Sequence, residues 1–174
     1  DVFKTNPNYW RVVNLRYFNP AGAHPSSLIG EIPMKKSSNL FPEIMKVLIG
    51  NLDYLPIYGN DWPTNDGTCI RDFIHVMDLA EAHLAALNFL LNNDPQIISF
   101  NVGTGKGISV LEVVNNFKKL NIKLPHKFTK RREGDFYYLV SDNRFALKRL
   151  NWSPERTLDD ICIDCFHWLN YFKK

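Results

Sequence analysis

Residues 58–83 read YGNDWPTNDGTCIRDFIHVMDLAEAH. The opening of this stretch, Asn60 to Gly67 (NDWPTNDG), is dense in the residues that build tight turns. Cys69 to Ile74 then predicts a short strand. Asp78 stands three residues before Glu81 and ahead of Ala82, Leu84, Ala85 and Leu87, the pattern of a capped helix start. Turn, strand and capped helix in close succession point to an α/β protein.

The same alternation extends both ways. Upstream, Arg11 to Phe18 (RVVNLRYF) is rich in β-branched and aromatic residues and predicts a strand, broken by Asn19-Pro20-Ala21-Gly22. Residues 23–38 have no periodicity and are expected as loop. Leu40 to Ile49 places Leu40, Ile44, Val47 and Leu48 at helical spacing and stops at Gly50. Tyr54 to Tyr58 predicts another short strand. Downstream, Gln96 to Val102 predicts a strand, followed by the loop Gly103 to Gly107. Ser109 and Glu112 form a capping box for a helix through Leu120. Asp142 is a candidate cap for a short helix ending at Leu150. Thr157, backed by Asp159 and Asp160, opens a last helix with the stripe Leu158, Ile161, Cys165, Trp168, Leu169 and Phe172. Strands alternating with helices imply an α/β fold with a parallel portion.

The bulk properties narrow the function classes. The chain has 174 residues, 45% hydrophobic and 22% charged, as in an ordinary globular protein with a sizeable core. A net charge of +3 gives no argument for nucleic acid. The apolar stretch Leu84 to Leu91 is far shorter than the roughly 20 residues of a membrane span. No signal peptide is apparent. Three cysteines do not make a disulfide framework, and a cytoplasmic setting is expected. Asp1 to Asn8 run almost directly into the first strand, as if cut from a longer chain.

Several groups are candidates for chemistry. The loop Gly103-Thr104-Gly105-Lys106-Gly107 lies between a strand and a helix, where phosphates are often held, but it matches neither the P-loop nor the dinucleotide fingerprint. A tight turn is the competing reading. Cys162 and Cys165 form a C-x-x-C on the last helix; without two further ligands they read as core cysteines. The run Lys127-Phe128-Thr129-Lys130-Arg131-Arg132 mixes cations with an aromatic, yet Glu133 and Asp135 oppose a nucleic-acid reading. An arginine held by adjacent carboxylates suits a diphosphate, and Arg71 beside Asp72 has the same character. Asn39 precedes a helix, where it either caps the helix or helps hold an anion.

Four segments in order resemble UDP-galactose 4-epimerases of the extended short-chain dehydrogenase/reductase family: LRYFNPAGAHPSSLIGE (15–31), SNLFPEIMKV (38–47), residues 58–83, and RREGD (131–135). FNVGTGKGISVLEVV (100–114) and LNWSPERTLDD (150–160) fit as well. The resemblance implies part of a Rossmann-like parallel sheet plus a small α/β C-terminal substrate-binding domain. Residues 1–38 and 76–106 would be remnants of the NAD-binding domain, and 39–75 with 107–174 the UDP-sugar-binding domain.

It also implies roles. Tyr17 and Pro20 would border the NAD nicotinamide, and Asn19 would reach the sugar. Asn39 and the N–H of Leu40 would meet the diphosphate, which Arg71 and Arg132 would grip. Pro56 and Tyr58 would hold uracil through the backbone, because residues two apart on a strand face one way. Asp135 would bind the uridine ribose, and Leu139 stands where the bacterial type has a tyrosine that limits the bulk of the sugar.

In the family a tyrosine base takes the 4-hydroxyl proton as hydride passes to tightly held NAD+, and the 4-keto sugar is reduced from its other face. The glycine-rich fingerprint and the Tyr-x-x-x-Lys that serve this cycle do not occur here. The expected function is therefore the substrate-binding half of a UDP-glucose/UDP-galactose 4-epimerase, inactive by itself, with a homodimer as the full-length parent and no nucleic-acid or membrane partner. The alternatives are a sister epimerase for UDP-N-acetylhexosamines or UDP-pentoses, and a non-catalytic UDP-sugar-binding module.

Overall fold

The computed structural model describes residues 2–32 and 39–172, so the last part of the loop expected over 23–38 lies outside the described residues. In chain order the elements are α1 (Val2–Thr5), β1 (Arg11–Tyr17), β2 (Asn19–Ala21), α2 (Leu40–Leu48), β3 (Leu55–Tyr58), β4 (Ile70–Arg71), β5 (Phe73–His75), α3 (Val76–Leu91), β6 (Gln96–Val102), β7 (Ile108–Ser109), α4 (Val110–Lys119), β8 (His126–Thr129), β9 (Tyr138–Leu139), α5 (Arg144–Leu150) and α6 (Leu158–Phe172).

Local chemistry explains where helices begin and end. At α4 the Glu112 N–H donates to Ser109 Oγ at 3.0 Å, and the Ser109 N–H donates to Glu112 Oε2 at 2.6 Å, the reciprocal capping box expected. Thr157 and Asp160 do the same at α6: the Thr157 N–H reaches Asp160 Oδ2 at 2.7 Å and the Asp160 N–H reaches Thr157 Oγ1 at 3.3 Å. Gly50 stops α2 with φ +81°, a conformation that costs glycine little. At α5 the N-cap is Asn143 rather than Asp142; the Asp142 carboxylate accepts the Arg144 N–H at 3.3 Å and binds the Arg144 guanidinium at 2.8 and 2.6 Å.

Two further expectations are corrected. The helix expected to start at Asp78 starts at Val76, capped by His75, whose Nδ1 accepts the Met77 N–H at 3.0 Å. Asp78 lies inside the first turn, fully buried, and Arg156 Nη1 donates to it at 2.5 Å. The single strand expected over Cys69 to Ile74 is two strands that part at Asp72 and join different sheets. The carboxylate of Asp72 turns into a buried network there, between the two strands, while its backbone carbonyl still accepts the Asn19 N–H at 3.0 Å.

Parallel pairing dominates. β1 runs beside β6 from Arg11↔Gln96 to Tyr17↔Val102, β2 beside β5, and β3 beside β8, while β4 lies between antiparallel β7 and parallel β9. Helices cover these strands, and two large cores form, with a smaller cluster of Ala23, Met45, Trp168 and Leu169 beside them. Phe100 and Val102 of β6 pack with Ala82, Ala86 and Phe89 of α3 and with Ala146 and Leu150 of α5. Phe41 and Ile44 of α2, Leu55 and Ile57 of β3, Phe117 of α4 and Ile161 of α6 make the other. A side chain such as Phe100 contributes about 1.5–3 kcal/mol by leaving water. β5 joins the cores, with Phe73 in one and Ile74 in the other, because neighbours on a strand face opposite ways. Cys162 and Cys165 are buried in the core; burial pushes the Cys165 thiol up to about 12 and the Cys162 thiol up as well. No helix among the described residues is long and apolar enough to cross a membrane.

Candidate functional site

A cleft of about 230 Å³ opens where β3, β4, the start of α2 and the segment after β8 meet. β3 supplies one wall. In its ladder with β8, the Leu55 N–H donates to the Pro125 carbonyl at 2.8 Å and the Gly59 N–H to the Thr129 carbonyl at 2.9 Å. Residues 55, 57 and 59 thus face β8, and alternation sends the backbone groups of Pro56 and Tyr58 to the other edge. Among the described residues no strand pairs with that edge. Pro56 has only a carbonyl to offer there, and Tyr58 has an N–H. The Tyr58 carbonyl accepts from Trp62 Nε1 at 3.0 Å, which closes the strand end.

Charge gathers opposite. The Arg132 guanidinium lies 3.9 Å from the centre of the Tyr58 ring, a cation–π contact that holds it over the cleft. Arg71 Nη2 donates to Asp135 Oδ1 at 2.5 Å, with the two side chains 15% and 28% exposed. The carboxylate partner of Arg71 is therefore Asp135 and not its neighbour Asp72, which corrects the expectation from sequence. Cys69 Sγ lies 4.0 Å from Asp135 Oδ2, and burial pushes that thiol up. Arg131 points elsewhere: it donates to Asp61 Oδ1 at 2.8 Å and stacks 4.0 Å over Trp62. That bond holds the Asp61 carboxyl below its ordinary range.

Asn39 and Leu40 bring the start of α2 to the cleft. Asn39 occupies the N-cap but makes no side-chain cap bond, so its amide does not close the helix. Asn19, at the start of β2, reaches the same cleft; its Oδ1 is buried with no hydrogen-bond partner among the described residues. A buried acceptor without a donor is costly, and a ligand hydroxyl or amide would relieve it.

The cleft thus brings together Asn19, Asn39, Leu40, Pro56, Tyr58, Arg71, Arg132 and Asp135. Leu139, Tyr17 and Pro20 lie outside it. Leu139 is half-exposed on β9 and pairs in register with Arg71. Tyr17 is half-exposed at the carboxyl end of β1, its ring 5.9 Å from that of His83. Pro20 lines a separate, largely apolar cavity of about 460 Å³. Sequence reasoning missed Glu43 and Cys69, which also line the cleft. Glu43 sits one helical turn beyond Asn39 and pairs with Lys46 at 2.6 Å. Cys69 could have been found by alternation, being two residues before Arg71.

In the loop Gly103 to Gly107 the three central amides already have acceptors, that of Lys106 being Thr104 Oγ1 at 3.1 Å. Its Thr104 and Gly105 N–H groups donate to the Asp72 carboxylate at 2.8 and 3.0 Å. The anion in this turn is the chain's own. Gly103 is required by crowding: a Cβ there would come within 2.5 Å of Asp72 Oδ2 and Ser141 Oγ.

Comparison with known proteins gives the chain its family. The model of the NAD dependent epimerase/dehydratase family matches residues 2–103. The chain belongs to this family. It is 46% identical over 165 residues to a UDP-glucose 4-epimerase of Bacillus subtilis, covering 94% of this chain and 48% of that protein. Among solved structures it is similar to a UDP-glucose 4-epimerase from Stenotrophomonas maltophila with bound NAD and formylated UDP-arabinopyranose, with 41% identity, a TM-score of 0.93, and 99% of this chain and 51% of that one covered. It is also similar to a UDP-glucose 4-epimerase from Bifidobacterium longum in complex with NAD+ and UDP, with 40% identity, a TM-score of 0.90, and 98% and 50% covered. The Rossmann-like α/β class is theirs too. The chain spans about half the length of the relatives it matches.

Proposed function

We propose that the chain is the C-terminal, nucleotide-sugar-binding half of an NAD-dependent UDP-glucose/UDP-galactose 4-epimerase, and that it does not turn over substrate by itself. The observation that carries this reading is the convergence of Asn39, Pro56, Tyr58, Arg71, Arg132 and Asp135, far apart in sequence, on one cleft. Residues 1–38 and 76–106 then belong with the NAD-binding domain of the parent, and 39–75 with 107–174 form the substrate domain.

Each group has a physical task. The Pro56 carbonyl accepts the imide N–H of uracil, and the Tyr58 N–H donates to the carbonyl beside it. Cytosine lacks that imide proton and would set an acceptor against the Pro56 carbonyl, which favours uracil. Arg71 and Arg132 neutralise the diphosphate, helped by the N-terminal end of α2 at Asn39 and Leu40. Asp135 accepts from the ribose hydroxyls while it holds Arg71. Asn19 Oδ1 accepts a hydroxyl proton of the sugar. NAD, when bound, supplies a hydride acceptor and donor. On this chain Tyr17 and Pro20 would border it, and Tyr17, half-exposed at the carboxyl end of a parallel strand, fits the place where open α/β sheets take ligands.

The test is an assay of both lengths with UDP-glucose and UDP-galactose. The expected result is interconversion by the full-length parent with NAD+ and none by the 174-residue chain. Turnover by the chain alone would overturn the fragment reading, and a parent inactive on both hexoses would overturn the substrate. The alternative is that the parent also accepts UDP-N-acetylhexosamines, which Leu139, in the place of the bacterial type's tyrosine but outside the cleft lining, neither excludes nor supports. Rates on both sugar classes in wild type and Leu139→Tyr separate the two.

A further inference from the structure

Asp72 is fully buried, yet its carboxylate is surrounded by donors. Oδ1 accepts the Thr104 N–H at 2.8 Å and the Thr104 hydroxyl at 2.6 Å. Oδ2 accepts the Gly105 N–H at 3.0 Å, the Ser141 N–H at 3.1 Å and the Ser141 hydroxyl at 2.6 Å. The Asp72 backbone carbonyl accepts the Asn19 N–H at 3.0 Å. One residue therefore ties together the ends of β6 and β9 and the start of β2.

Its place in the strand gives this knot a consequence. Cys69, Arg71 and Phe73 line the cleft. Alternation turns Ile70, Asp72 and Ile74 away from it, and a Cβ on Gly107 would meet Ile70 Cγ2 at 2.6 Å on that far side. β4 has two residues and β5 three, so few ladder bonds hold their register, and the anchored carboxylate acts with the burial of Phe73 and Ile74 in opposite cores to fix it. A slip by one residue would carry Arg71 out of the cleft and Asp72 into it. The anchored carboxylate opposes that slip.

We propose that Asp72 is a positioning residue for UDP-sugar recognition: seated in the turn at Thr104, Gly105 and Ser141, it sets the register that aims Arg71 at the cleft and fixes Asn19 beside it. This rests on the UDP-sugar reading of the cleft. Asp72 touches neither the cleft nor a ligand; it acts through its neighbours. Thr104 and Ser141 share this role, and Gly103 leaves the space for it.

The test uses Asp72→Asn, which sets an NH2 among N–H and O–H donors, and the milder Ser141→Ala, which removes one hydroxyl donor and covers the case in which Asp72→Asn does not fold. Affinity for UDP is measured by calorimetry in three backgrounds: otherwise wild type, Arg71→Ala and Arg132→Ala. Asp72→Asn is expected to weaken UDP about tenfold in the wild-type and Arg132→Ala backgrounds and to cost almost nothing further with Arg71→Ala. Without UDP, the NMR signal of Arg71 Nε should move in both variants, while that of Arg156, held by Asp78 and Glu81, stays. Equal losses in all three backgrounds, or an unmoved Arg71 signal in a folded variant, would overturn the proposal. If wild type itself fails to bind UDP, the UDP reading falls, and the Arg71 signal alone decides the positioning role.

Discussion

Arg131 and Arg132 are adjacent and equal in charge but unequal in expected effect. Arg132 lies over Tyr58 at the cleft, whereas Arg131 is 41% exposed on its side chain and committed to Asp61 and Trp62. A charge-assisted bond from guanidinium to phosphate is worth about 1.5–3 kcal/mol, so Arg132→Ala should weaken UDP by about 10- to 100-fold. Arg131→Ala should change affinity by no more than about threefold, since solvent screens its distant charge. Tyr58→Leu keeps the backbone N–H but removes the ring under Arg132, and should cost about 1 kcal/mol, or roughly fivefold. Calorimetric titration of UDP into the three variants at one salt concentration measures all of this. Equal losses at Arg131 and Arg132 would refute the reasoning, because a general basic patch would then bind the nucleotide.

Other consequences follow from the same geometry. Gly103→Ala forces its new methyl against buried Asp72 and Ser141 and should destabilise by about 1–3 kcal/mol in urea unfolding; an unchanged midpoint would mean that the loop relaxes freely. Arg156→Ala strips the buried Asp78 carboxylate of its cation, and a loss of about 3 kcal/mol is expected, with a loss under about 1 kcal/mol counting against a desolvated pair. Desolvation lowers the His75 pKa below the ordinary 6.5, although Asp164 at 3.2 Å pulls it back. The unfolded chain then holds the proton more tightly, so this contribution to stability is complete above about pH 6.5 and is lost as pH falls below it. Unfolding midpoints at pH 7.5 and 5.5 should show that loss in wild type, and His75→Asn should flatten it. Hydrogen exchange on the isolated chain should be fast in β1, half of which is exposed and which pairs on one side only among the described residues, and slow in α6. Uniform strong protection in a monomer would mean that the chain closes its own core.

What could be read from the sequence was local. The capping boxes at Ser109 and Thr157 are legible because both partners lie three residues apart. β1, α2, β6 and α6 are legible because their apolar periodicity runs for several residues. β2, β7 and β9 are two or three residues long, too short for any pattern. The break at Asp72 was hidden because its donors lie 32 and 69 residues away. The start of α3 moved from Asp78 to Val76 for a related reason: His75, its cap, is braced by Asp164, 89 residues on. The cleft residues were named through family motifs, and the physical reading added their logic. Alternation on β3 explains Pro56 with Tyr58, while the bond between Arg71 and Asp135 could be seen only once β4 and the segment after β8 were folded together.

The most direct test of the account is an amide NMR titration of the chain with UDP. A nucleotide in this cleft should produce saturable shifts at the amides of Leu40 and Tyr58, with matching changes in the Arg71 and Arg132 side-chain signals, and CDP should bind more weakly. No saturable shift at Tyr58, or shifts confined to Arg131 and the outer face of β8, would contradict it.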